Sequence, residues 1–324
     1  MIRFGVIGSG NIAHTFCQAM SVVSGAELYA IASRDLDKAK RYQAEYNIAK
    51  AYGSYVALLE DPLVDCVYIA TPHGLHYEQM MLVLDYHKAI LCEKAFTLNE
   101  RQAKEVFEKA STLGLFVMEA MWTRFLPTIK AVKSLCDEGA IGEITELEAS
   151  LCFKIDVPNT NRVFAKALGG GALLDVGIYP ITFANLILGV PKNIEATMTK
   201  ARTDVDASND IIYHYDRAKA YLKSSVVEAS PPNARIVGTK GSILIPRFWS
   251  ASEAYVYDVK GNLVNIIKHP HEVNGFEYEI REVVRCLNAK KLESPKMTHT
   301  QSLTILKQMD TIRNMWSLTY PQET

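Results

Sequence analysis

The 324-residue chain contains no run of about 18 apolar residues, so no membrane-spanning helix is expected. Charge of one sign is missing too. The 35 Lys and Arg stand against 36 Asp and Glu, a formal net charge of −1. That balance leaves no basic footprint for nucleic acid or an anionic membrane surface. The six cysteines (Cys17, Cys66, Cys92, Cys136, Cys152 and Cys286) form no C-x-x-C pair. This argues against a zinc site or a disulfide framework and fits reduced thiols in the cytoplasm. The opening IRFGVIG reads as a strand, not as the charged and apolar regions of a signal peptide. Internal repeats and low-complexity linkers are also lacking. What is present is a globular composition, 48% hydrophobic and 22% charged, long enough for about two domains.

The first third alternates short apolar runs with helical stretches. Strands are expected at 2–7, 28–32, 64–70 (VDCVYIA), 89–92 and 115–118, with helices at 11–20, 36–46, 76–86 and 99–113. The strands are apolar on successive residues, as in a parallel sheet covered on both faces. In the last of these helices Asn99 is a cap, Gln102 a capping-box partner and Gly114 the stop. After Trp122 the pattern changes. A helix at 125–139, an alternating strand at 144–153 and a glycine loop feeding a buried helix precede six short strand-like runs between 193 and 267. Two helices, 276–289 and 298–316, close the chain. The expected architecture is a doubly wound parallel sheet at 1–122, followed by an α+β domain at 123–324 with a large, open, mostly antiparallel sheet. The last helix is a candidate to pack back on the first domain.

Gly8-x-Gly10-x-x-Ala13 follows a strand and opens a helix, the context that a dinucleotide-binding turn requires. Gly8 allows the turn, Gly10 lets backbone approach a pyrophosphate, and Asn11 and Ile12 begin the helix whose amides face it. The second strand ends Ser33-Arg34-Asp35, where an NAD enzyme places an acid to hold the ribose hydroxyl. Ser33 and Arg34 suit a 2′-phosphate, which points to NADP, while Asp35 keeps NAD as the alternative.

Two further stretches, Thr71-Pro72-His73-Gly74-Leu75-His76 and Glu93-Lys94-Ala95, end strands at the carboxyl edge of the sheet, the usual ligand crevice. Thr71, Pro72, His73, His76, Glu93 and Lys94 are candidate cofactor contacts. Lysine at the end of a buried strand is poorly explained by packing. Its ammonium suits a developing alkoxide, or a proton shuttle. Glu93, pointing the other way, reads as a structural or cofactor-ribose contact. In GGGALLDVGIY, Asp175 and Tyr179 lie four apart and share a face on an α-helix, an acid and a phenol suited to a substrate hydroxyl. Trp122 and Phe153 are candidate substrate walls, and the loops across 153–164 hold the contacts that select the substrate. His73/His76 and His269/His271 lack a carboxylate or cysteine to complete a metal set, so no metal is expected.

Taken together, GSGNIA, SRD, ATPHGLH, Glu93-Lys94 and GGGALLDVGIY resemble the Gfo/Idh/MocA oxidoreductases, in the same order and across essentially the whole chain. MEAMWTRFLP, KAYGSY and LLDVGIYP are similar to the branch that acts on trans-dihydrodiols and on aldopyranoses such as xylose with NADP. The resemblance implies hydride transfer at a hydroxyl-bearing carbon, with Lys94 and Tyr179 as the catalytic pair and Asp175 at the substrate. It also implies a homodimer through the open sheet. Ala95 departs from the family's usual proline, which loosens the backbone aiming Lys94 and leaves a non-catalytic NADP(H)-binding redox sensor as the competing reading.

Overall fold

The computed structural model describes residues 1–155 and 162–323, which form two compact units. Of the substrate-selecting stretch across 153–164, residues 156–161 lie outside the described residues. The first unit comprises 1–122 with 271–303, and the second 123–270 with 304–324.

The first unit runs β1 (Ile2–Ile7), α1 (Asn11–Met20), β2 (Ala26–Ala32), α2 (Leu36–Tyr46), β3 (Lys50–Tyr52), α3 (Tyr55–Leu59), β4 (Cys66–Ile69), α4 (His76–Asp85), β5 (Ala89–Glu93), α5 (Glu100–Leu113) and β6 (Val117–Ala120). Its strands form one six-stranded sheet in the order β3-β2-β1-β4-β5-β6, all parallel. The order reverses between β1 and β4, the switch point outside which open α/β sheets bind their ligands. β4 and β5 are buried at every residue, so the uninterrupted apolar runs do mark two covered faces.

Local signals set the helix ends. Asp35 caps α2 by accepting from Asp37 N at 3.1 Å and Lys38 N at 3.2 Å. Asn99 caps α5 by accepting from Gln102 N at 2.9 Å, and Gln102 Oε1 reaches back to Leu98 N, one residue ahead of the cap. The helix stops at Gly114, whose φ of 66° is left-handed.

The second unit contains α6 (Pro127–Asp137), β7 (Ile144–Cys152), α7 (Ile178–Leu188), β8 (Asn193–Lys200), β9 (Asp206–His214), β10 (Lys219–Ser225), β11 (Asn233–Gly238), β12 (Gly241–Pro246), β13 (Glu253–Asp258) and β14 (Leu263–Lys268). Its eight strands order β14-β13-β12-β11-β7-β10-β9-β8. Every pairing is antiparallel except β7 with β10. α7 packs on β7 and β10 and covers one face. The segment 166–188 is apolar and long enough to span a membrane by composition alone, but it is mostly buried as this unit's core. On the other face, side chains from β7, β9, β10, β11 and β12, Tyr221 and Leu244 among them, line a groove of about 620 Å³.

Two helices, α8 (Glu277–Asn288) and α9 (His299–Met315), complete the chain. Sequence reading assigned all of 123–324 to the second domain, whereas 271–303 group with the first unit. The physical reason is α8, which packs on α1 and β2 and buries Ile280, Val283 and Val284 there. α9 crosses the division: its first turn belongs to the first unit and the remainder to the second.

Candidate active site

In the first unit, Gly8 adopts φ 106°, and a Cβ there would lie 2.7 Å from Ala70 O, so side chains are excluded by both conformation and space. Gly10 differs. It is exposed with φ −101°, and a Cβ there would meet nothing within 4 Å. Packing gives no reason for glycine at that position, whereas room for a phosphate does. Tyr42 OH donates to Gly10 O at 2.8 Å and fixes the turn from α2. Helix α1 starts without a side-chain cap or an acidic first-turn residue, so the amides of Asn11 and Ile12 face an electropositive end. This donor set fits a dinucleotide pyrophosphate.

Ser33 is buried, its Oγ 3.0 Å from Ser9 Oγ and accepting from Asp35 N at 3.2 Å. Asp35 is committed to capping α2, which leaves exposed Arg34, beside the Tyr55 hydroxyl, as the charge at the strand end. That arrangement fits a 2′-phosphate better than two free ribose hydroxyls.

The loop after β4 is tied to the loop after β5 by His76. This ring is fully buried, with Nε2 2.8 Å from Thr71 O and Nδ1 2.9 Å from Ala95 O. Burial pushes its pKa down to about 4, so at pH 7 the ring is neutral and donates to one carbonyl at a time. Thr71 Oγ1 donates to Gln79 Oε1 at 2.6 Å, Pro72 O accepts from Leu75 N, and buried His73 stands edge-on to His76, ring centroids 5.8 Å apart.

Lys94 follows β5 and is half-buried. The backbone beside it is held firmly. Ala95 is fully buried with its carbonyl against His76, and Phe96 N donates to Glu119 Oε1 at 3.3 Å. Glu119 in turn accepts from Ser302 Oγ at 2.6 Å. The Lys94–Ala95 peptide is cis. The looseness expected of Ala95 is countered by buried polar partners at its carbonyl and at the next amide.

Glu93 points into the core and accepts from Tyr68 OH at 2.5 Å. Glu279 of α8 is fully buried and feels the Glu93 charge, and both of its carboxyl oxygens lack a hydrogen-bond partner. Burial, reinforced by Glu93, drives the Glu279 pKa far above the carboxylate range, so it is held neutral. Trp122 is buried with its ring 4.9 Å from Phe276.

In the second unit, Asp175 lies in a π-helical turn, Leu173–Gly177, and Tyr179 sits in the first turn of α7. The α-helical spacing assumed for this pair is therefore not the one present, because a π turn closes over five residues. Asp175 is buried and paired with Arg162 Nη1 at 3.2 Å. Tyr179 is also buried. The glycines beside them have structural causes. A Cβ on Gly170 would lie 2.6 Å from Val163 O, and one on Gly171 (φ 121°) 2.3 Å from Asp206 Oδ1. Phe153 is exposed, edge-on to Trp249 with centroids 5.7 Å apart.

Sequence reading missed Tyr42, Glu119, Arg162, Asp206 and Glu279. Each acts through a contact distant in sequence, and only the burial of three acids, which charged side chains avoid unless partnered or neutral, singles them out. Among the described residues no group of three or more His, Cys, Asp or Glu could hold a metal ion.

Comparison with known proteins adds to this geometry. The family model described as "Oxidoreductase family, NAD-binding Rossmann fold" (GFO_IDH_MocA) matches residues 2–121, and the "GFO/IDH/MocA C-terminal domain" matches 129–244. A trans-1,2-dihydrobenzene-1,2-diol dehydrogenase of Xenopus tropicalis is 34% identical, covering 98% of this chain and 99% of that protein. The scyllo-inositol 2-dehydrogenase (NADP(+)) IolU of Bacillus subtilis is 32% identical, covering 100% and 99%. Among solved structures, the 3-ketoreductase KijD10 of Actinomadura kijaniata, crystallised with NADP and TDP-benzene, superposes with a TM-score of 0.87 at 29% identity over 97% of each chain.

Proposed function

The chain belongs to the Gfo/Idh/MocA family of NAD(P)-dependent oxidoreductases, and on that premise we propose that it oxidises a ring carbon bearing one of two adjacent hydroxyls, using NADP. Two relatives are named for such rings, a dihydrobenzene diol and scyllo-inositol, and sugars in pyranose form offer the same arrangement. The observation that carries the reading is the Lys94 loop, whose backbone is anchored at Ala95 and Phe96 while Lys94 itself is half-buried at the carboxyl edge of the sheet.

Gly8, Gly10, Asn11 and Ile12 would hold the pyrophosphate, and Ser33 with Arg34 the adenosine phosphate. Thr71, Pro72 and His73 shape the adjoining loop. When bound, the dinucleotide supplies the hydride chemistry. Tyr179, acting as its phenolate and assisted by the Lys94 ammonium, takes the proton of the reacting hydroxyl and becomes the phenol. The ammonium stabilises the developing alkoxide, and Asp175 with Arg162 orients the neighbouring hydroxyl. In the reductive direction Tyr179 returns the proton to the carbonyl oxygen.

Purified protein assayed with NADP+ and NAD+ against xylose, scyllo-inositol and a trans-dihydrodiol tests the class. Turnover of at least one with NADP+ is expected, and inactivity on all three would remove the ring-diol reading. Arg34→Ala is expected to weaken NADPH roughly tenfold and to leave NADH within a factor of about two, since one charge-assisted phosphate contact is lost. Equal weakening of both cofactors would show that Arg34 does not read the phosphate.

The open face of the eight-stranded sheet supports a homodimer. Tyr221 and Ile212 stand on it among exposed charges, and Tyr221 is 40% exposed. The expected particle in solution has twice the chain mass of 36.1 kDa, and Tyr221→Glu should shift it towards monomer. A monomeric wild-type particle at micromolar concentration would sink this assignment. The reading places the enzyme in the cytoplasm, where its six unpaired thiols stay reduced.

A further inference from the structure

Beneath the glycine loop of the second unit lies a buried polar cluster that the proposed chemistry does not use. Asp206, the first residue of β9, is fully buried. Its Oδ2 accepts from Leu173 N at 2.7 Å and from Asn209 Nδ2 at 2.8 Å, and Asn209 Oδ1 accepts from Ser224 Oγ at 2.7 Å. Leu173 opens the π turn that contains Asp175 and runs into α7 and Tyr179. That turn has no side-chain cap of its own. Asp206 therefore does from another strand what an N-cap residue does locally. Gly171 allows the approach, since any Cβ there would collide with Asp206 Oδ1, and Tyr320 OH fastens the preceding loop by donating to Gly170 O at 2.7 Å.

The other oxygen, Oδ1, is buried and has no hydrogen-bond partner. A carboxylate with one half satisfied and one half bare is poised to take a proton on the bare side. We infer that Asp206 is a positioning residue for the substrate-side turn, capping Leu173 as an anion and loosening its hold on the Asp175–Tyr179 segment when protonated. The inference rests on the reading that this segment meets the substrate.

Several groups bear on the titration. Burial raises the Asp206 pKa to about 7 against the opposing donations from Asn209, Leu173 N and its own amide, and against the more distant Arg313 charge. Arg313 is itself paired with Asp310 and Glu323, and the buried Tyr320 phenol adds no charge at neutral pH. A neutral acid accepts hydrogen bonds more weakly than its anion, so the cap strengthens as pH rises through 7.

The deciding experiment follows the backbone amide resonances of Leu173 and Asp175 in the full chain between pH 5.5 and 8.5, in wild type and in Asp206→Asn. Asparagine can place its carbonyl where Oδ2 accepts and its amide where Oδ1 is bare, which keeps the fold and removes the proton. A midpoint within about one pH unit of 7 in wild type, absent from Asp206→Asn, is the expected result. Amides that do not move in wild type, or that titrate identically in the variant, overturn it. This readout needs no substrate, so it stands apart from failure of the ring-diol reading. If one of the ring substrates turns over, kcat/KM should fall below pH 7 in wild type and lose that limb in Asp206→Asn. An unchanged limb in the variant would also overturn the inference.

Discussion

Lys94→Ala is expected to lower kcat by about a thousandfold while leaving NADPH affinity within about twofold of wild type, the scale of a group acting on a charge that develops only during reaction. The split follows from where the residue sits. Its neighbours are fixed without it: Glu93 is held by Tyr68, Ala95 by His76, and Phe96 by Glu119. Truncation at Cβ therefore removes the amine and leaves the loop in place. The pyrophosphate and adenosine-phosphate contacts proposed for the turn after β1 and the end of β2 lie elsewhere along the sheet. Steady-state kinetics with a fluorescence titration of NADPH would decide the matter. Wild-type kcat would remove Lys94 from the chemistry, whereas loss of cofactor binding in step with kcat would make it a binding residue.

The largest expected loss of stability belongs to Gly171→Ala, at about 3 kcal/mol or more. Two costs add. The backbone sits at φ 121°, which an L side chain rarely adopts, and the new carbon would lie 2.3 Å from a buried carboxylate oxygen. Relief would require Asp206 to withdraw from Leu173 N and Asn209, which leaves those buried donors unpaired. Gly10→Ala is the matching control. Its added carbon meets nothing within 4 Å, so a change of about 1 kcal/mol or less is expected. Urea denaturation of the two variants separates them, and equal midpoints would show that the loop relaxes around a side chain at 171.

The contrast between these glycines shows what a sequence can carry. Glycine at 10 and glycine at 171 look alike in a string of letters, yet the first stands in open space and the second against a buried acid. The strand–turn–helix context located the former between β1 and α1 because such a turn is local. The reason for glycine at 171 depends on β9, more than thirty residues later, and no local pattern contains it. The parallel sheet was legible because strands covered on both faces are apolar on successive residues, as β4 is throughout and β5 is up to Glu93. β3 and α3 were not, since three and five residues are too few to establish a period. The return of 271–303 to the first unit was hidden in α8. Three buried glutamates on that helix, Glu277, Glu279 and Glu282, disguise an apolar face as a polar one.

Each of those acids is accommodated differently. Glu277 accepts from the amides of Val273, Asn274 and Gly275, and Glu282 is neutralised by Arg285 and Lys296. Burial opposes ionisation of Glu282, yet these partners hold its pKa at about 2. Glu279 has neither kind of support and stays protonated. Its folded pKa lies above the unfolded value, so the stability it contributes is full below the ordinary carboxyl pKa and declines as pH rises towards the folded one.

The single parallel pairing in the second unit bears on how the chain is made. β7 is flanked by β10 and β11, both of which follow it by many residues. At ribosomal speeds of about 5–20 residues per second, β7 waits several seconds for its first partner, with both hydrogen-bonding edges bare. Leu147, Ala149 and Leu151, which line the buried face of the finished sheet, are uncovered until α7 emerges to pack on them. The centre of the sheet thus closes only after the β8–β9 hairpin at its edge has been made, and the nascent protein is most exposed to mispairing before residue 219 emerges.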